Sequence, residues 1–536
     1  MAIHLILSII LFGLTLCFEP SNSVENGSTG SKKMVPVGVI LDQDSGVGKM
    51  GKSYIAMAVS DFYARYADYK TRLNPAAMKN SVKDPVVAAS AALELMKNER
   101  VQILIGPQTS EEAKFAINLG NKAQIPIISI SAPSPSLSPN QNPFFIRACQ
   151  GDYSQIKPLT SIFQTFGWRQ AIVIYEDTEF GNGLIPYLTD SLQQIETRVL
   201  YRSPISPSST RLNISKELEN IKAMDTKVIL VHMTALLGSQ LFVLAKHAGM
   251  ISEGYVWIVT TELSTLLGLD PLEKKVIDSM HGVLGVRAYV PNTKTLQDFK
   301  TRWNLKRINL FGLWAYDTIW ALAKAVELIS HESSNASTQS VSSRNSTTTG
   351  KVFGLIVSES GKGLLQKLQS TRLEGLSGQF RLIRRQLKVE KYEIINFRGS
   401  KSGESETVIG YWMPKKGISA DLVENGKVAN SSSLEELKQR IIWPGNHHPQ
   451  VPPKGWVIPA PGKKLRIGVP QTTAGFREFL NIKWDPETFK VTNISGFSYD
   501  VFMAALDQLP FKVPHEFFAD ENNATYDDLL YQIKLQ

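Results

Sequence analysis

The 536-residue sequence contains only two cysteines, and the first, Cys17, lies within an apolar leader. Cys149 then stands alone in the remainder, which excludes an internal disulfide framework. It sits in an apolar stretch, Phe144 to Cys149, and reads as a small buried hydrophobe. Histidine is also scarce, at eight residues. The adjacent pair His447-His448 falls in a Pro-rich stretch without Cys or acidic partners at ligand spacing. No metal site and no cofactor is therefore expected. Past the leader there is no apolar run of about 18 residues, so no membrane-spanning helix is expected there. A strong excess of either charge is missing too. Lys and Arg total 58 against 49 Asp and Glu, and the net +9 is spread thinly. No basic stripe with interleaved aromatics appears, which argues against nucleic acid as a partner. No nucleophile elbow and no evident Ser/His/Asp set is found, so the chain is not expected to be an enzyme.

What is present is an ordinary globular balance, with 43% hydrophobic and 20% charged residues. Residues 3–16 are almost wholly apolar and are followed by Ser21-Asn22-Ser23, which reads as a signal peptide over 1–23. Asn-X-Ser/Thr sequons occur at Asn26, Asn213, Asn335, Asn345, Asn430, Asn493 and Asn523. With a leader, this density points to the secretory pathway, with glycosylation expected at Asn213, Asn335, Asn345, Asn430 and Asn493.

From Met34 onward, short β-rich runs alternate with amphipathic helical patterns. Strands are expected at 35–41, 101–105 and 125–129, with helices at 53–66, 85–98 and 111–121. A second set starts near Asp152, with strands at 171–175, 198–202, 228–232 and 255–260. Such alternation means βαβ units and largely parallel sheets. Two sets in tandem imply two α/β lobes with a cleft between them, together spanning 34–414. Residues 415–461 are rich in Pro, Gly and Lys and read as a linker. A further α/β unit is expected over 462–536.

Several motifs have more specific content. Trp443-Pro444-Gly445 is followed by Pro453-Lys454-Gly455-Trp456, then by Gly462-Lys463-Lys464-Leu465-Arg466-Ile467-Gly468-Val469-Pro470. Next come Gly496-Phe497-Ser498-Tyr499-Asp500-Val501-Phe502 and Tyr526-Asp527-Asp528-Leu529-Leu530-Tyr531-Gln532. In this order and spacing, the set resembles the plant glutamate-receptor-like channels of the ionotropic glutamate receptor family. Upstream, Ile105-Gly106-Pro107-Gln108-Thr109-Ser110, Phe166-Gly167-Trp168-Arg169 and Ala315-Tyr316-Asp317 are similar to that family's amino-terminal domain. The resemblance implies a bilobed, type I periplasmic-binding-protein-like domain, then the first half of an agonist-binding domain. It also implies a truncated sensing and assembly region, partnered by a small ligand such as an amino acid and by other receptor subunits. Membrane attachment and the pore would belong to a part that follows in relatives. A secreted binding or decoy protein is the alternative. Asn74-Pro75 falls where the family resembles a strand, which Pro permits only in a short or edge strand.

Ligands in open α/β sheets bind beyond the carboxyl ends of the strands. Thr109 and Ser110 follow one expected strand, with Ser110 read as the cap of the next helix. Ser131 and Ser134 follow another. Hydroxyls and a helix N-terminus there suit a carboxylate. On the opposite lobe, Glu262 offers an acid for an ammonium group and Phe180 an apolar wall, with Glu176 and Asp177 nearby. One rival motif stands apart. Gly46-Val47-Gly48-Lys49-Met50-Gly51-Lys52-Ser53 matches the phosphate-loop pattern between a strand and a helix, and an NTP-binding protein is the lesser reading it supports.

Overall fold

A computed structural model describes residues 32–265, 274–305, 308–336, 351–352, 355–400, 405–422, 431–445, 452–455, 464–470, 478–485, 491–508 and 513–519. The expected signal peptide, Asn26, Asn345, Asn430, Asn523 and the 526–532 motif lie outside the described residues. Asn213 and Asn493 are exposed.

Two eight-stranded sheets dominate. The first takes β1 (Lys33–Leu41), β2 (Thr71–Asn80), β3 (Ile103–Ile105), β4 (Ile127–Ser129) and β5 (Phe145–Arg147). The second takes β6 (Gln170–Glu176), β7 (Arg198–Ile205), β8 (Val228–His232), β9 (Val256–Val259) and β10 (Leu284–Ala288). A short pair, β11 (Lys351–Val352) and β12 (Leu355–Ile356), precedes β13 (Arg372–Gly375), β14 (Gly378–Ile383) and β15 (Gln386–Leu387), which return to the first sheet. Strands β16 (Tyr392–Phe397), β17 (Glu406–Met413) and β18 (Gly417–Ser419) extend the second. The orders are β13-β14-β15-β5-β4-β3-β1-β2 and β18-β17-β16-β10-β9-β8-β6-β7. The five parallel strands of each sheet thus follow the same pattern, 2-1-3-4-5 in the first and 7-6-8-9-10 in the second. The two lobes expected from the sequence are these two sheets with their helices. The chain crosses between them between Arg147 and Asp152, between Ala288 and Leu310, and between Leu387 and Tyr392.

Side-chain alternation places a core on both faces of each sheet. Ile103 and Ile105 join one buried cluster of lobe 1 while Leu104 joins the other. In lobe 2, Ile229 and Val231 face one core and Val228 and Leu230 the opposite one. The helices start where caps allow. Asp84 accepts from the amides of Val86 and Val87 at 2.7 and 2.9 Å, ahead of Pro85 at the first helical position.

Pro75 lies in β2, at the edge of the first sheet. The β1–β2 register slips at that point, passing from Pro36↔Asn74 to Gly38↔Ala77. The edge position removes the need for its missing N–H.

The phosphate-loop motif is corrected by the helix Gly46–Arg65, which begins at its first glycine. Ser45 caps that helix, accepting from the Gly48 amide at 3.0 Å, and the Lys49 amide donates to the Ser45 carbonyl at 3.0 Å. The motif's backbone is wound into a helix and cannot wrap a phosphate. A Cβ on Gly48 would stand 1.8 Å from the Asp42 carbonyl oxygen, so close packing against the β1 end accounts for that glycine.

The stretch 415–461 is more than a connector. It contributes β18 and the helix Ser431–Arg440, and Leu437, Ile441 and Trp443 are buried in a lobe 2 core. Beyond it, β19 (Leu465–Val469) pairs in parallel with β22 (His515–Ala519), and β20 (Asn481–Trp484) pairs with β21 (Val491–Ser495). The helix Phe497–Asp507 in this unit has no buried residue. Among the described residues, no helix is long and apolar enough to cross a membrane.

Candidate functional site

In each lobe the strand order reverses beside the first strand, between β1 and β3 and between β6 and β8. The carboxyl ends of those strands form the crevice of an open α/β sheet.

On lobe 1 this edge is built from 42–45, 106–110 and 131–134. Gln108 ties the loops together. Its Oε1 accepts from the Asp42 amide at 3.2 Å, and its Nε2 donates to Ser45 Oγ at 3.1 Å. Thr109, not Ser110, caps the helix Ser110–Ala123, because that helix starts one residue earlier than expected. Thr109 Oγ1 accepts from the Glu112 amide at 3.2 Å, and Glu112 accepts in return from the Thr109 amide at 2.9 Å. Ser110 is buried at the first helical position, where its Oγ accepts from the Ser134 amide at 3.3 Å. Ser131 Oγ donates to the Gln108 carbonyl at 2.8 Å. Buried Arg147 holds the loop from beneath, donating to the carbonyls of Ala132, Ser134 and Leu137.

Lobe 2 presents acids and an imidazole at the same edge. Glu176 accepts from the amide and hydroxyl of Thr234 at 2.9 and 2.6 Å, fixing the residue that precedes the helix Ala235–His247. Asp177 accepts from Asn182 at 2.9 Å. His232 is fully buried, with Nδ1 3.0 Å from Thr260 Oγ1. Phe180 does not form an open wall. It is buried, and its ring lies 4.2 Å from that of His232. Glu262 sits in the short helix Thr261–Ser264, partly exposed, while burial pushes its carboxyl up to about 8 and the charges of Asp152 and Glu176 add to the rise. A surrounded carboxyl with some surface still accessible is what a recess lining produces.

Asp152, Gln150 and Gln155 come from the first crossing between lobes. Gln155 donates to Asp152 Oδ1 at 2.6 Å and accepts from the Thr261 amide at 2.8 Å. Gln150 donates to Thr261 Oγ1 at 2.9 Å. Burial raises Asp152 to about 7, against the opposing pull of Arg147, and lowers His232 to about 3. Asp152 Oδ2 and His232 Nε2 lie 3.8 Å apart. Among the described residues, Asp152 Oδ2 and Gln150 Oε1 make no hydrogen bond, while the His232 ring also meets the Phe180 backbone. Cys149, beside them, is buried and pushed up to about 12, an inert thiol.

The six residues singled out from the sequence thus fall into two groups. Thr109, Ser110, Ser131 and Ser134 cluster on lobe 1, while Phe180 and Glu262 lie on lobe 2. The lobes touch where Ser134 Oγ donates to the Glu179 carbonyl at 2.9 Å and where Lys114 meets Glu179 at 3.1 Å. Asp152, Gln150 and His232 were not singled out. His232 closes an expected strand, so the carboxyl-end rule alone marks it.

Residues 54–400 match the model of the receptor family ligand binding region. That match covers well over half of the chain. The chain belongs to this family. Within it, the chain is a plant glutamate-receptor-like protein. It is 40% identical to glutamate receptor 2.8 of Arabidopsis thaliana over 93% of its own length and 52% of the relative's. It is 37% identical to glutamate receptor 2.1 of the same plant over 99% of the chain and 57% of the relative. The chain therefore spans about half the length of the curated relatives it matches. Among solved structures, a leucine binding protein from Thermotoga maritima aligns with TM-score 0.56 at 14% identity, covering 71% of this chain and 99% of that one. A solute binding protein of an ABC transporter from Rhodopseudomonas palustris, in complex with 3,4-dihydroxy benzoic acid, aligns with TM-score 0.56 at 16% identity, covering 70% and 96%. At that identity the likeness speaks for the fold, and it confirms the bilobed periplasmic-binding-protein architecture of this receptor-family chain.

Proposed function

We propose that this chain is the extracellular ligand-sensing and assembly region of a plant glutamate-receptor-like cation channel, and that it takes a small amino acid between its lobes. The reading rests on one observation above all: two chemically opposite strand edges face each other across the lobe contact. Lobe 1 brings hydroxyls and the N-terminus of the helix Ser110–Ala123, which suit a carboxylate. Lobe 2 brings the carboxyls of Glu262, Asp152 and Glu176; Glu262 and Asp152 are raised by burial, and an ammonium group placed among them would draw them back to the ionised form. A ligand bridging both would favour the closed arrangement of the lobes. Other receptor subunits are the expected assembly partners in the parent channel.

The test is calorimetric titration of the secreted chain with each of the twenty proteinogenic amino acids. At least one is expected to bind, and Glu262→Gln should weaken it roughly 10- to 100-fold, as loss of a charge-assisted hydrogen bond implies. No binding by any of the twenty, or binding indifferent to Glu262, would defeat the reading.

A further inference from the structure

The strap that leaves lobe 2 is bound strand by strand along the sheet edge opposite the crevice. Asn396, in β16, donates to the Ile442 carbonyl at 3.1 Å and accepts from the Ile442 amide at 2.9 Å. Arg398 donates to the Arg440 carbonyl at 2.6 Å. Next, Trp443 and Pro444 press on Gly282, just before β10; a Cβ there would stand 2.3 Å from the Pro444 nitrogen. Gly445 then abuts Ser252 and Glu253, ahead of β9, where a Cβ would meet the Glu253 nitrogen at 2.4 Å. Farther on, the Pro453 carbonyl accepts from Trp168 Nε1 at 2.8 Å, just before β6. The Gly455 carbonyl accepts from the Lys227 amide at 2.9 Å, just before β8. The strap therefore visits β16, β10, β9, β6 and β8, covering their edge of the sheet.

Aromatic packing fastens it. Trp443 is buried, with its ring centroid 5.4 Å from that of Phe166 and 6.0 Å from that of Trp168. Phe166 and Trp168 stack at 4.8 Å. Gly282, Gly445 and Gly455 all have positive φ, so the backbone makes its close approaches where a side chain would be both strained and obstructive. Every partner named here belongs to lobe 2.

We infer that the strap is a latch making lobe 2 and the chain through Gly455 one rigid body, so that this exit point follows lobe 2 whenever it moves against lobe 1. Trp443, Trp168 and Asn396 are positioning residues in this device. The crevice sits at the carboxyl ends of the parallel strands and the latch at their amino ends. A change of lobe angle at one edge of the sheet is thus delivered at the other without passing through lobe 1. The inference rests on contacts within lobe 2 and does not require the ligand to be an amino acid.

Spin-label distances on the full chain test it without a ligand. Nitroxides attached to p-acetylphenylalanine at positions 94, 216 and 454 report on lobe 1, lobe 2 and the strap. A Ser134→Cys/Gly183→Cys pair locks the lobes when oxidised. An ideal Cβ at Gly183 lies 3.4 Å from Ser134 Cβ, close to disulfide spacing. The 216–454 distance should be narrow and the same in reduced and oxidised protein. The 94–454 distance should be about twice as broad when reduced and should narrow on oxidation. Trp168→Phe keeps an aromatic ring of smaller size, removes the donor to Pro453 and should broaden 216–454 while leaving 94–216 unchanged. A 216–454 distribution as broad as 94–454, or one that shifts on oxidation, would overturn the latch. So would narrow, unchanging distances for both pairs, since no lobe then moves apart from the other.

Discussion

Lobe 1 and lobe 2 share one order of parallel strands, yet their crevice edges are made differently. On lobe 1 most polar groups at the edge are committed, chiefly to each other, with Ser134 reaching across to lobe 2 and Glu112 Oε1 of the capping box unmet among the described residues. Gln108 joins Asp42 to Ser45, Thr109 caps its helix, and Ser131 and Ser134 donate to carbonyls. On lobe 2 the edge is buried and acidic, and among the described residues Asp152 Oδ2 and Gln150 Oε1 are unmet. A shared topology fixes where a site lies, and the side chains at the strand ends decide which half has something left to give a ligand. Unmet buried groups are costly, so the crevice edge of lobe 2 should respond more strongly than that of lobe 1 to substitution, pH and ligand; away from the crevice, lobe 1 has its own titrating group in buried Asp317, raised to about 6.

The largest expected effect is on lobe 2's far edge. Trp443→Ala removes a buried indole from that core and should cost about 3–5 kcal/mol, read by denaturant unfolding. A loss below about 1 kcal/mol would mean that the strap adds little to lobe 2.

The second effect is pH-dependent. Asp152 has a raised value in the fold, so the folded state binds its proton more readily than the unfolded chain. Its contribution is present below about 4 and is lost as pH rises towards about 7. Asp152→Asn should therefore stabilise the protein at pH 8, on the order of 2 kcal/mol, and do little at pH 4. His232 works in the opposite sense. Its lowered value makes the fold lose stability as pH falls from 6.5 towards 3. Unfolding midpoints across pH 4–8 check both, and a flat profile for the Asp152→Asn difference would break the contrast between the lobes.

Much of the architecture was legible because parallel strands buried on both faces read as short apolar runs and Pro85 marks a helix start, although the next helix reads one residue late, with Ser110 in place of Thr109 as its cap. The strand edges were legible as well, since Thr109, Ser110, Ser131, Ser134 and Glu262 all follow strands. What escaped was whatever depends on contacts distant in sequence. Asp152 and Gln150 are ordinary polar residues until the crossing between lobes buries them against Thr261 and Gln155. Phe180 read as a ligand wall, but it is spent against His232. The glycines at 46–51 read as a phosphate loop because spacing alone does not reveal that Gly48 must clear the Asp42 carbonyl. The strap read as a linker because Pro and Gly mark irregular backbone whether it is free or docked.

Smaller effects separate the lobes further. Thr109→Ala removes a cap on lobe 1 and should cost about 1 kcal/mol, read by thermal unfolding. Lys52→Ala, on the exposed side of the helix Gly46–Arg65, should change stability by less than about 0.5 kcal/mol and leave ligand binding intact.

The central claim is that a small ligand is held between these two edges. Hydrogen exchange, measured with and without whichever amino acid gives the largest binding heat, tests it most directly. Protection is expected at 106–110 and 131–134 on lobe 1 and at 176–180, 232–234 and 260–262 on lobe 2, with the outer helices unchanged. Protection confined to one lobe or to the outer helices, or none at any amino acid concentration, would contradict it.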